Sequence, residues 1–232
     1  MPSFNIIKKI DFDSTFRTES IMGNFDINKE NLFEEFIGNI DIENKDWNVG
    51  LIVGGSGTGK STIAKEVFGD NYFNDYQYNS KSVIDDMPKR SINEITFAFT
   101  SVGFSSPPSW LKPYHVLSNG EKMRVDLARN ILDQKNLIIF DEFTSVVNRE
   151  VAKTSSFAIS KAIRKTNKKF IAIACHFDII DWLKPDWIYN TDKKEFFFIQ
   201  KLKDDQQLKY NYQELIKMNK NKYGIFLKSI II

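Results

Sequence analysis

Residues 54–61 read Gly-Gly-Ser-Gly-Thr-Gly-Lys-Ser, and this octapeptide constrains the fold more than any other stretch of the chain. Gly54, Gly55, Gly57 and Gly59 fall within six positions, which permits a turn that residues with a Cβ would enter only under strain. The turn is entered from Val49-Gly50-Leu51-Ile52-Val53, a short apolar run that suits a strand buried on both faces. It leaves through Lys60–Phe68, whose spacing predicts a helix closed near Gly69. A strand covered on both faces needs helices on either side, so the expectation is an α/β fold built on a mostly parallel sheet.

The rest of the chain supplies the matching parts. Helical periodicity covers 120–132 and 149–165, and apolar runs at Leu137–Phe140 and 170–174 predict two more buried strands. Residues 185–190 and 195–199 read as a closing hairpin with 191–194 as its turn. Before the glycine turn, the expectation is a small β region: strands over 4–10 and 22–27, then a short helix over 30–37. Residues 70–116 are expected to be irregular, because Pro88, Pro107, Pro108 and Pro113 interrupt any long helix.

At 232 residues the chain suits one sizeable domain, with 201–232 as a basic extension carrying seven lysines against three acidic residues. A net charge of +2 gives no argument for nucleic acid or an anionic membrane as partner. One cysteine, Cys175, rules out an intrachain disulfide and a Cys-rich zinc module, and points to a reducing compartment such as the cytoplasm. The sequence lacks a secretory signal pattern and has no run of about 18 apolar residues.

The octapeptide fits the phosphate-binding pattern GxxxxGK[ST], running on into Thr62. Backbone N–H groups of Gly54, Gly55, Ser56, Gly57, Thr58 and Gly59 would turn inward around phosphate oxygens, aided by the positive end of the following helix. Lys60 would reach the β and γ phosphates, and the Ser61 hydroxyl would coordinate Mg²⁺. The strand Leu137–Phe140 delivers Asp141, a second Mg²⁺ anchor, and then Glu142, placed to act as general base on an attacking water. Parallel sheets bind ligands beyond the carboxyl ends of their strands, where the glycine loop, Asp141-Glu142 and His176 all fall.

A third element narrows the family. Leu117-Ser118-Asn119-Gly120-Glu121, followed by Lys122-Met123-Arg124-Val125-Asp126-Leu127-Ala128-Arg129, resembles the signature motif of ATP-binding-cassette (ABC) ATPases and the helix it caps. The usual form is LSGGQ, so Asn119 and Glu121 are departures. The resemblance covers roughly residues 45–190 and implies ATP and Mg²⁺ as ligands. It further implies a homodimer in which Ser118, Asn119, Gly120 and Glu121 of one chain face the ATP held by the other. His176 matches the switch histidine that contacts the γ-phosphate. Asn148 stands where the family's D-loop usually ends in Asp. Gln77 is the candidate for the Q-loop residue that senses the metal, with Asp85 or Asp86 as substitutes. Phe16 and Phe25 are candidates for stacking on adenine.

Only 55 residues, 62–116, separate the phosphate loop from the signature, which implies a shortened α-helical subdomain within about 70–134. The chain thus resembles compact soluble ABC ATPases of phages, mobile elements and DNA-modification loci, some fused to an acetyltransferase domain. Segments 101–110 and 181–187 carry that likeness, which implies a switch working with DNA or a DNA-processing partner. The alternatives are the ATP-binding subunit of a transporter with separate membrane chains, and a weakly hydrolysing, nucleotide-gated scaffold.

Overall fold

The computed structural model describes residues 3–28, 32–69 and 76–199. The basic extension 201–232 lies outside the described residues.

A five-stranded sheet runs in the order β4-β5-β3-β6-β7, where β3 is Val49–Val53, β4 Leu137–Phe140, β5 Lys169–Ala174, β6 Trp187–Asn190 and β7 Glu195–Phe198. The first four of these are parallel, and β7 folds back antiparallel on β6. Register is fixed at the centre: Val53 lies beside Ala174 of β5 and beside Asn190 of β6, and Phe140 lies beside Ala172. The expected parallel α/β sheet is therefore present.

Every residue of β3 is buried, and the pleat sorts them between two cores. Val49, Leu51 and Val53 join Ile138, Phe140, Phe170 and Ala172 on one face. That face is covered by α3 (Ile92–Ser101), α5 (Asn119–Leu132), α6 (Arg149–Ile163) and α7 (Ile179–Leu183). Ile52, Ile139, Ile171 and Ile173 face the other way, against Ile63 and Ala64 of α2 (Lys60–Phe68) and the N-terminal arm. Burial on both faces is why these strands read as continuous apolar runs.

The N-terminal arm departs from expectation. Residues 16–24 form a helix, α1 (Phe16–Asn24), where a strand over 22–27 was expected. Thr15 and Thr18 make a reciprocal capping box that starts it. Residues expected to be helical over 30–37 instead contribute β2 (Phe33–Asn39), paired antiparallel with β1 (Ser3–Lys9) from Ser3↔Asn39 to Lys9↔Phe33. Leu32, Phe33, Phe36 and Ile37 recur at helical spacing, but pairing with β1 turns Phe36 and Gly38 inward on a period of two. Phe4 of β1 meets Tyr189 of β6 edge-on, with ring centroids 5.7 Å apart.

The stretch expected to be irregular contains α3, a ten-residue helix. Ser91 caps it, with Glu94 completing the box, a start signal legible as S-x-x-E. A short helix, α4 (Pro107–Trp110), and a 3₁₀ turn at Tyr114–Val116 lead into α5.

At the edge opposite the glycine loop, a buried carboxylate ties the sheet together. Asp186 accepts from the backbone N–H groups of Asn48 (2.8 Å) and Val49 (2.9 Å) and from Arg164 Nη1 (2.9 and 3.0 Å). These donors come from the start of β3 and the end of α6, so one side chain joins three segments that are distant in sequence.

Candidate functional site

The glycine loop emerges from the centre of the sheet. Gly57 (φ 78°) and Gly59 (φ 80°) both adopt the left-handed conformation that glycine alone enters freely. Gly59 precedes α2 without a side-chain cap, so the first turn of α2 presents its backbone donors to the loop. Close approach also matters. A Cβ on Gly59 would lie 2.2 Å from the Phe36 ring, and one on Gly54 would lie 2.1 Å from Thr191 Oγ1.

Lys60 is 8% exposed, and its Nζ donates to the Gly55 carbonyl (2.6 Å) across the loop. A buried ammonium held over a glycine turn at an uncapped helix start is chemistry that suits polyphosphate, and these residues fit such a ligand. Ser61 and Thr62, both half-buried, occupy the first turn of α2.

The β6–β7 turn braces the loop. Thr58 Oγ1 donates to Gly55 O (2.9 Å) and lies 2.6 Å from Thr191 Oγ1. Asp192 Oδ1 accepts from Gly55 N–H (3.0 Å), and Thr191 N–H donates to Val53 O (2.9 Å). The sequence marked 191–194 as a turn but gave no sign that it would contact the phosphate loop.

Asp141 and Glu142 leave the carboxyl end of β4, two strands from the loop. With neighbouring strands roughly 4.8 Å apart, the half-buried Asp141 starts about 10 Å from the axis of β3. Its Oδ1 accepts from Glu142 N–H (2.8 Å). Glu142 is exposed and left-handed (φ 51°), and Thr144, two residues on, is left-handed as well (φ 66°). For a β-branched residue this backbone is strained, and the Thr144 hydroxyl is buried without a partner among the described residues. The turn is pinned by Phe143, fully buried, whose N–H donates to Ile173 O (2.8 Å). Ser61 and Asp141 together offer the hard oxygen donors that suit Mg²⁺, which takes its remaining ligands from phosphate and water.

His176 follows β5, the strand between β3 and β4, and is exposed at the same edge. Two residues on, Asp178 accepts a bidentate guanidinium fork from Arg149, through Nε (2.9 Å) and Nη2. Arg149 is the first residue of α6 and also lies over the Trp182 ring (5.0 Å). Asn148 caps α6 by accepting from Val151 N–H (2.9 Å), so the histidine turn and the Asn148 turn are tied side by side.

The signature-like segment starts α5. Ser118 is its N-cap, Asn119 is exposed, and Gly120 sits where a Cβ would lie 3.1 Å from Val151 Cγ1 of α6. Glu121 folds back on Ser118 and also accepts from Ser109 Oγ (2.9 Å).

The structure does not bring the remaining candidates to this edge. Gln77 is exposed, and its backbone carbonyl accepts from Arg129 (3.0 Å), far down α5 from Ser118. Asp86 accepts from the N–H groups of Asn79 and Ser80, and Asp85 from the Ser82 hydroxyl. Phe16 and Phe25 are 87% and 73% exposed on and beside α1. The aromatic beside the loop is Phe36, which lines a cleft of about 290 Å³ with Ile37, Ile63, Tyr189 and Asp192. Its helical spacing in the sequence concealed it.

Glycine loop, carboxylate pair and histidine thus meet at the carboxyl edge of a parallel sheet, which defines a P-loop nucleoside-triphosphatase fold of the cassette type. No family model matches the chain, and no curated protein matches its sequence. Among solved structures it is similar to the dimeric MJ0796, a bacterial ABC transporter cassette, at 13% identity and a TM-score of 0.56, covering 73% of this chain and 94% of that one. MJ0796 in its dimeric post-hydrolysis state, bound to ADP and Pi, gives 11% identity and a TM-score of 0.59 over 86% and 99% of the two chains. A bacterial Atm1-family ABC exporter with ATP bound gives 19% identity and 0.55, covering 80% of this chain but 39% of the exporter.

Proposed function

We propose that the chain binds Mg-ATP and hydrolyses it as a head-to-tail homodimer. The observation that carries this reading is that the glycine loop leading to Lys60, the pair Asp141-Glu142, and His176 follow the carboxyl ends of three adjacent strands. Lys60 and the first turn of α2 hold the β and γ phosphates. Ser61 and Asp141 hold Mg²⁺, which when bound neutralises charge on the transferring phosphoryl group. Glu142, presented on a strained turn, orients the attacking water and takes its proton, and His176 contacts the γ-phosphate. Phe36 and the cleft beside it take the base. Ser118 and Gly120 of the second chain close the site from the far side. Loss of the shared phosphate charge then loosens the dimer.

Steady-state phosphate release tests this. Glu142→Gln is expected to lower turnover by roughly 10²-fold or more with ATP binding retained, whereas Lys60→Ala abolishes binding. ATP turnover unaffected by Glu142→Gln would overturn the assignment, and absent turnover in the unmodified chain would favour a nucleotide-gated scaffold.

For the process driven, we infer a cytoplasmic switch in a phage, mobile-element or DNA-linked system, supported by the compact subdomain between loop and signature. No described helix is long and apolar enough to cross a membrane. A transport subunit is the second reading, in which Ile92, Phe97 and Leu111, each exposed on or beside α3 and α4, would meet a partner chain. ATPase stimulation by duplex DNA, lost at high salt, supports the first; co-purification with a multi-span membrane protein supports the second.

A further inference from the structure

We propose that Glu121 is a built-in restraint on dimer closure: its carboxylate takes the hydroxyl proton that Ser118 would otherwise offer to a phosphate held by a second copy of the chain. This rests on the head-to-tail reading above.

A serine hydroxyl has one proton to donate. Here Ser118 Oγ donates it to Glu121 Oε2 (2.8 Å) while accepting from Glu121 N–H (3.3 Å). The same Oε2 accepts from Ser118 N–H (3.0 Å), and Oε1 accepts from Ser109 Oγ (2.9 Å). Ser109, 5% exposed, reaches in from α4, so the carboxylate is clamped from two elements. The Ser118 backbone N–H holds the Glu121 carboxyl below the usual carboxylate range; burial opposes this, and the Ser118 and Ser109 hydroxyls and Lys112 reinforce it. The group is therefore an anion at neutral pH, resting on the donors that the start of α5 would present to an incoming anion.

The molecule contains its own control. Ser91 and Glu94 make the same capping box on α3, with Glu94 accepting from Ser91 N–H (2.9 Å) and Ser91 Oγ (2.7 Å). Glu94 is fully exposed and, among the described residues, receives no hydrogen bond from another element. A box of this kind is a helix start signal by itself. What distinguishes the α5 box is its third donor and its place in the segment resembling the signature.

Closure requires Ser118 to release Glu121 and requires a phosphate to approach a like charge. One unit charge at contact distance through water corresponds to roughly a fivefold effect on an equilibrium. The test is sedimentation velocity in the hydrolysis-blocked Glu142→Gln background, measuring the Mg-ATP concentration at half-dimerisation. Adding Glu121→Gln is expected to lower that midpoint about five- to tenfold and to flatten its salt dependence, even as loss of the charged cap lowers the melting temperature. A purely structural role predicts the opposite sign, because a frayed α5 would dimerise less well. Glu94→Gln, which loosens the equivalent cap on α3, is expected to leave the midpoint unchanged. Ser109→Ala keeps the box, removes the outer clamp, and is expected to shift the midpoint in the same direction by a smaller factor. If Glu142→Gln dimerises and neither substitution lowers its midpoint, the restraint is refuted while the head-to-tail dimer stands. If no variant dimerises at saturating ATP, both fall together.

Discussion

Replacing Asp186 with alanine removes the acceptor shared by Asn48 N–H, Val49 N–H and Arg164, all within 3.0 Å of its carboxylate. Its side chain is 6% exposed and that of Arg164 23%, so water does little to replace the lost bonds. Breaking a buried pair by removing one partner typically costs about 3–5 kcal/mol, and each stranded backbone donor adds to this, so about 4 kcal/mol is the expected loss. For a chain of this length that lowers Tm by roughly 8–16 °C. Asp186→Asn keeps the shape and one acceptor oxygen, and should lose about half as much. Burial pushes the Asp186 carboxyl up, but the Val49 and Asn48 N–H groups and Arg164 outweigh it and leave it below the ordinary value of 3.8. Because the folded-state value is the lower one, this contribution is complete above about pH 4 and is lost as pH falls through the folded value. Urea unfolding followed by the fluorescence of the four tryptophans, Trp187 among them fully buried, measures the loss directly. ATP affinity should hold in the folded variants, since Asp186 precedes β6 at the edge away from the loop. A loss under about 1 kcal/mol in Asp186→Ala would refute the reasoning.

Gly59→Ala must place a Cβ at φ 80° and 2.2 Å from the Phe36 ring, so ATP affinity measured by calorimetry should fall at least tenfold. Gly57→Ala meets no neighbouring atom within 4 Å and should cost only the backbone strain of about 1–2 kcal/mol. Phe36→Ala should weaken ATP binding by roughly 1–3 kcal/mol, whereas Phe16→Ala and Phe25→Ala should leave it unchanged; the reverse pattern would restore the original candidates. Tyr78 and Tyr114 stack 3.9 Å apart and both donate to Asp126, so Asp126→Ala should destabilise by about 2 kcal/mol in urea.

What could be read in advance followed burial. Strands covered on both faces, such as 49–53 and 170–174, leave an unbroken apolar run, and the edge that carries the candidate site followed from the residues at their ends. The described residues of the arm, 3–28 and 32–39, sit on one side of the sheet and are half exposed, so Phe33, Phe36 and Ile37 satisfied a helical and a strand pattern at once. Only the β1 partner decided between them. The α3 start is encoded plainly in Ser91–Glu94, between prolines at 88 and 107 that break helical periodicity on either side. Phe36 acquired its place from its approach to Gly59, and no local pattern encodes an approach between segments 23 residues apart.

The brace on the phosphate loop carries a consequence for how the chain comes into being. Gly55 and Asp192 are 137 positions apart, and Thr58 and Thr191 are 133 apart. On the ribosome the glycine octapeptide emerges well before its support and waits while the intervening residues are made. A fragment ending before β6 would carry every residue of the motif while lacking the turn that holds the loop in shape. The loop thus takes its final shape only once β6 and β7 have joined the sheet, whatever order the earlier strands follow.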